Sequence, residues 1–148
     1  MNSYICVTYA QDDREVNDLF CRSLSRYGFR FQCVNELSDP VKRRGWLTEA
    51  SLLIALTSPA AVRAETVATD IRRALERNMR VLCISLEDNE LDIRFCAVNG
   101  GGIALIPFPV GETPDRHSVA LFIHRLFVRH LTRLGECFVE NRCARDLI

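Results

Sequence analysis

Asp70 is the residue of this 148-residue chain whose type and setting best suit chemistry. It opens the run Asp70-Ile71-Arg72-Arg73-Ala74, beside an apolar stripe of Val67, Ile71, Ala74 and Leu75. The stripe recurs at helical spacing, so that face rests on a sheet. The helix edge then carries Asp70 toward the carboxyl ends of the strands, the crevice where open α/β sheets bind ligands. A carboxylate there can stabilise or trap a carbon that gains positive charge, and Arg72 and Arg73 favour its ionised form. The alternative is a solvated helix residue paired with Arg73 or Arg77. Glu65, near the helix start, and Glu76, beyond the Asp70 to Ala74 run, are lesser candidates for the same role.

Other reactive types are spaced for less. His117, His124 and His130 are seven and six residues apart, which is not the i, i+4 pair of a helical metal site, so no metal is expected. Seven cysteines (Cys6, Cys21, Cys33, Cys83, Cys96, Cys137 and Cys143) contain no Cys-x-x-Cys. Cys6, Cys33 and Cys83 fall in strand-like runs and read as small apolar residues. Gly100-Gly101-Gly102 leads into a strand with no Gly-Lys-Ser/Thr after it, so it is not a phosphate loop. Trp46, the single tryptophan, can stack on an adenine or anchor packing.

The elements that must position Asp70 alternate. Tyr4–Tyr9 reads as a strand rich in β-branched and aromatic residues. Asp12 and Glu15 then resemble a capping box ahead of a helix carrying Val16, Leu19, Phe20, Leu24 and Tyr27, with Gly28 as its stop. Phe29–Val34 is a second strand, and Val41–Ala50 a short helix with Pro40 near its start. Leu52–Leu56 is an apolar run too short for a helix, broken at Thr57-Ser58-Pro59, where Ser58 caps the helix that bears Asp70. Arg80–Leu86 is the fourth strand, Leu91–Val98 a short helix and Ile103–Ile106 the fifth strand. A last helix from 115 to 134 turns Val119, Phe122, Ile123, Leu126, Phe127, Leu131 and Leu134 inward, and Gly135 ends it. Five alternations predict a parallel sheet covered on both faces, a flavodoxin-like three-layer sandwich of strand order 2-1-3-4-5.

Two stretches carry a resemblance. Val7-Thr8-Tyr9-Ala10-Gln11-Asp12-Asp13 is similar to the opening of Toll/interleukin-1 receptor (TIR) domains, a strand ending Ser-Tyr-Ala before an acidic helix start. Leu52 to Arg77 resembles their third strand and helix, where Ser-Pro is followed by Glu-x-x-x-Ala. Asp70 stands at that glutamate, one methylene shorter. The resemblance covers about residues 3 to 134 and implies two modes of action, cleavage of NAD and association between TIR domains. Asp70 would then meet the charge that builds on ribose as nicotinamide leaves, in a crevice with Tyr9, Ala10, Trp46 and Ser58. Tyr9 is otherwise a core residue. Association would use the exposed basic residues Lys42, Arg43, Arg44, Arg72, Arg73 and Arg77, which are otherwise solvated helix faces. The compact loops are similar to prokaryotic members, and the expected role is signalling in intracellular immune defence, with homo-oligomers on activation and NAD as ligand or substrate rather than a resident cofactor.

Two other readings use the same fold. A response-regulator receiver needs an aspartate ending strand three and a lysine after strand five, and these places hold Leu56-Thr57-Ser58 and Ile106-Pro107-Phe108. A nucleoside deoxyribosyltransferase also uses a carboxylate on a nucleoside, but no second motif supports it. Lys+Arg equals Asp+Glu at 19 each, so no global field favours nucleic acid or an anionic membrane. No apolar run approaches the roughly 20 residues that span a bilayer, and Met1-Asn2-Ser3-Tyr4 lacks signal-peptide character. A cytoplasmic protein is expected, with a TIR-like domain at 1–135 and a tail or linker at 136–148.

Overall fold

Strands and helices alternate as expected in the computed structural model, which describes residues 4–96, 102–108 and 115–126. The strands are β1 (Ile5–Thr8), β2 (Phe31–Val34), β3 (Leu52–Thr57), β4 (Arg80–Ser85) and β5 (Ile103–Pro107). All pair in parallel, in the order β2-β1-β3-β4-β5, which is the flavodoxin-like arrangement. Parallel neighbours need crossovers, and helices bury both sheet faces. Every residue of β3 is buried, which explains why it reads as an unbroken apolar run.

Side chains of β1 alternate between two cores. Ile5 and Val7 join Leu52, Ile54, Leu82 and Ile84 beneath α1 (Arg14–Arg26) and α5 (Arg116–Leu126). Cys6 joins Leu53, Ala55, Val81 and Cys83 beneath α2 (Pro40–Glu49), α3 (Pro59–Ala64) and α4 (Thr66–Glu76). The expected inward residues of α5, Val119, Phe122, Ile123 and Leu126, are buried. Phe127, Leu131, Leu134 and Gly135, the boundary at 135, and Cys137 and Cys143 lie outside the described residues. No disulfide joins Cys6, Cys21, Cys33 or Cys83 to one another.

Two local expectations are corrected. The helix that bears Asp70 does not run from Ser58: Glu65, at φ 60°, separates α3 from α4. Ser58 and Pro59 start the short α3, and the break re-aims the chain so that Val67, Ile71 and Ala74 of α4 meet the sheet. Asp12 does not form a capping box. Gln11–Asp13 makes one turn of 3-10 helix, α1 starts at Arg14, and no side chain caps it. Asp13, at the cap position, has its carboxylate engaged elsewhere. Gly28 supplies the left-handed stop at φ 79°.

Candidate functional site

Asp70 lies in the second turn of α4 and is 0% exposed. It does not overlook open solvent at the helix edge, because α4 presses it onto β1. Thr8, the last residue of β1, donates its hydroxyl to Asp70 Oδ2 at 2.7 Å. Arg43 of α2 brings Nε to 3.4 Å from Oδ1, with its own side chain 12% exposed. Neither Arg43 Nε nor Asp70 Oδ1 makes a hydrogen bond among the described residues, so the pair is ionic in distance and incomplete in geometry. Burial raises the Asp70 pKa above its ordinary 3.8, while the Thr8 hydrogen bond and the charges of Arg43 and then Arg73 pull it down.

This cluster sits below the point where the strand order reverses. β1 lies between β2 and β3, with Thr8 in register with Val34 on one side and Ala55 on the other. The chain leaves β1 toward β2 and returns to β3, so the carboxyl ends of β1 and β3 form the topological switch point. Tyr9, Ala10 and Ser58 all stand there and all are buried. Ser58 has two roles: its Oγ accepts from Ala61 N at 3.1 Å as the α3 cap, and it donates to Asp13 Oδ2 at 2.5 Å. Burial raises the Asp13 pKa, and the Ser58 hydrogen bond opposes the rise. Ser58→Ala is therefore expected to lose about 1–2 kcal/mol, from the cap and from the partially buried carboxylate left without its donor. Urea denaturation checks this, and a loss under about 0.5 kcal/mol would mean that another donor replaces the hydroxyl.

The connection from β2 to α2 is fastened to the same end. Asn35 Nδ2 donates to Tyr9 Oη at 3.0 Å and to Gln11 Oε1 at 2.8 Å, and Leu37 N donates back to Asn35 Oδ1 at 2.8 Å. Tyr9 is thus buried with its hydroxyl held from the connection after β2, and its ring belongs to the α1/α5 core. Beyond Asn35 the apolar side chains of Leu37 and Val41 are 73% and 76% exposed. On the far side of β3, Thr57 donates to Asp92 Oδ1 at 2.7 Å.

Trp46 is not brought to this crevice. It lies in the last turns of α2, near the amino ends of the strands, where Tyr4 donates its hydroxyl to the Trp46 carbonyl. There Trp46 lines a cleft of about 210 Å³ with Tyr4, Arg30, Phe31, Gln32 and Glu49. Arg43 also departs from its expected group, turned inward to Asp70. Lys42, Arg44, Arg72 and Arg77 are exposed and Arg73 is half-buried. Arg77 Nη1 donates to Thr48 Oγ1 at 2.8 Å, which ties the end of α4 to α2. Among the described residues no His, Cys, Asp and Glu side chains gather as a metal site, and no helix is long and apolar enough to cross a membrane.

Sequence reasoning singles out Asp70, Ser58 and Tyr9 but misses their partners: Thr8 and Arg43 at Asp70, Asp13 at Ser58 and Asn35 at Tyr9. The one signal was the polar Thr8 ending an otherwise apolar strand.

No protein-family model and no curated protein matches the sequence. Solved structures match in shape. A diflavin flavoprotein A3 from Nostoc sp. aligns with a TM-score of 0.65 and 16% identity over 98% of this chain and 99% of that one. The flavodoxin-like domain of a Synechococcus sp. protein gives 0.56 and 15%, over 82% and 99%. The sugar isomerase domain of an RpiR transcription factor from Sphaerobacter thermophilus gives 0.57 and 13%, over 98% and 79%. At these identities the likeness is one of fold, and the chain has the flavodoxin-like fold.

Proposed function

We propose that this chain is a TIR-type signalling module of intracellular, bacterial-type immune defence. It binds an NAD-type nucleotide at the β1/β3 switch point and acts by associating with other TIR domains. The observation that supports this is the setting of Asp70: the acid of the motif stands against the end of β1, with one carboxylate oxygen making no hydrogen bond among the described residues. Buried carboxylate oxygens are ordinarily satisfied, so spare acceptor capacity beside a ligand crevice suits a ligand or a proton. In NAD the bond to nicotinamide breaks with its electron pair leaving on the ring, and a carboxylate stabilises the positive charge left on the ribose carbon. Arg43, packed against Asp70, favours binding and assembly over turnover while α2 stays in place.

A flavin is the other nucleotide-sized ligand raised by the flavoprotein neighbours. The residues do not fit it. The first strand-to-helix turn is Tyr9-Ala10-Gln11-Asp12-Asp13, and its carboxylates oppose the phosphate that such a turn would hold at the helix start. The same acidic turn suits the cationic nicotinamide end of NAD, leaving the pyrophosphate to Arg63, whose charge reaches Asp13.

The test compares the parent chain with Asp70→Ala and Asp70→Glu at high protein concentration. NAD is expected to raise the melting temperature of the parent and not of Asp70→Ala. Cleavage by the parent that is lost in Asp70→Ala and raised in Asp70→Glu would make it a slow NAD glycohydrolase as well. No thermal response and no cleavage from any of the three would remove the nucleotide crevice. Association is read separately by sedimentation, where oligomers that grow with concentration and with NAD are expected; a monomer under every condition overturns it.

A further inference from the structure

The corner between α1 and β2 holds two thiols in contact. Cys21, on the inward face of α1, and Cys33, on the outermost strand, have their sulfurs 3.0 Å apart. Cys21 is 8% exposed, whereas Cys33 is half-buried. Asn17, buried one turn earlier on α1, places Oδ1 at 3.9 Å from the Cys21 sulfur. The spacing in sequence is not that of a redox motif; the fold makes the pair by laying α1 against the edge of the sheet.

We propose that Cys21 and Cys33 are a reversible dithiol–disulfide pair, in which Cys33 meets a hydroperoxide and Cys21 resolves the product. The Cys33 thiolate attacks the outer oxygen of the hydroperoxide, the O–O bond breaks, and the departing oxygen takes a proton to leave as water or an alcohol. Cys33 is then a sulfenic acid. The Cys21 sulfur attacks the Cys33 sulfur, the S–O bond breaks, and the Cys21 proton leaves with the hydroxyl as water. The two thiols lose two electrons and the hydroperoxide gains them. To bond, the sulfurs close by about 1 Å from their present contact.

The division of roles follows from the surroundings. Cys33 is the more exposed of the two and so the one a hydroperoxide reaches, and its contact with Cys21 lowers its pKa, against its partial burial, which favours the thiolate that reacts. The same contact, with burial, raises the pKa of Cys21, which suits a thiol that waits for the sulfenic acid. Cys6 and Cys83 are both 0% exposed, and burial raises the Cys6 thiol, so neither competes. The pair stands on this contact alone and does not depend on the nucleotide reading.

The experiment treats the full chain with hydrogen peroxide, blocks free thiols and maps tryptic peptides without reduction. A linked pair of Glu15–Arg22 with Phe31–Lys42 is expected, and dithiothreitol should release it. In Cys21→Ser, Cys33 should accumulate as sulfenic acid that dimedone traps; in Cys33→Ser, Cys21 should stay reduced under the same dose. Circular dichroism checks that both variants fold, with Cys33→Ala as the substitute. In the parent itself, dimedone added during oxidation should label Cys33 before Cys21. Absence of the linked peptide, or oxidation of Cys21 that is indifferent to Cys33, overturns the proposal.

Discussion

Arg43→Ala is expected to lower the stability of the fold by about 3 kcal/mol at neutral pH, the lower part of the range for breaking a buried ion pair. The cost arises at Asp70. With Arg43 gone, a fully buried carboxylate keeps the Thr8 hydroxyl and loses the charge that stood 3.4 Å from Oδ1. The sign of the pH dependence follows from the direction of its shift. Burial holds the folded pKa of Asp70 above the ordinary 3.8. A carboxyl raised in this way favours the fold while protonated; that contribution is complete below the ordinary value and fades as pH rises through the folded one. Removing Arg43 takes away a lowering influence and raises the folded pKa further. Parent and variant should therefore converge as pH falls to about 4 and separate toward neutrality. Urea denaturation at the two pH values measures this, with Arg43→Met retaining much of the apolar stem so that lost packing is separated from lost charge. An equal loss at both pH values would place its cause outside Asp70. Under the proposed function the substitution also uncovers Asp70, so NAD binding should strengthen while stability falls, a pairing that a purely structural Arg43 does not produce.

The parts of this architecture legible in the sequence are those fixed by local rules. Leu52–Thr57 announces a central parallel strand because both of its faces are buried. Ser58-Pro59 announces a helix start, and Gly28 a helix end, because each supplies a backbone conformation or a hydrogen bond that the position requires. Asp70 stands out in the sequence by resemblance to the glutamate of a motif, but its surroundings do not show there. Thr8 and Arg43 are 62 and 27 positions away, and periodicity on α4 says nothing of which residue of α2 crosses above it. The rules also mislead where a tertiary contact outweighs them. Asp12 and Glu15 satisfy the capping-box pattern, yet the turn tightens and Asp13 takes its hydrogen bond from Ser58, 45 residues on. Glu65 is not a residue type that signals φ of 60°, so the break between α3 and α4 left no trace in the sequence. Trp46 was placed with the nucleotide by its chemistry, whereas α2 runs antiparallel to the strands and delivers it to their amino ends. Cys21 and Cys33 meet for the same reason that hid them: they come from different elements.

Phe20→Ala is expected to cost about 3–5 kcal/mol, and it tests the other half of the molecule. Phe20 is 1% exposed and meets Phe108 and Phe122 edge-on, with ring centroids 6.2 and 5.7 Å away. Phe108 and Phe122 are themselves 5.2 Å apart, so three rings from α1, the end of β5 and α5 close one cluster. Truncating Phe20 removes its apolar contacts, leaves a cavity between two helices, and breaks two edge-to-face pairs worth about 0.5–1.5 kcal/mol each beyond their area. Phe20→Leu keeps part of the volume and should recover about half of the loss. This cluster lies on the opposite face of the sheet from Asp70 and, among the described residues, shares no hydrogen-bond or ionic partner with Arg43 or Thr8. Its effect should accordingly be independent of pH between about 4 and 7, and additive with Arg43→Ala to within about 0.5 kcal/mol. Phe20→Ala with Arg43→Ala would remove a large share of the roughly 5–15 kcal/mol that holds a domain together, so the additivity is read with Phe20→Leu, again by urea denaturation. Coupling well above that limit would mean that the sheet transmits strain between its faces. Additivity would mean that the two faces of the sheet contribute independently, with loss of the Arg43–Asp70 pair felt only in its own layer.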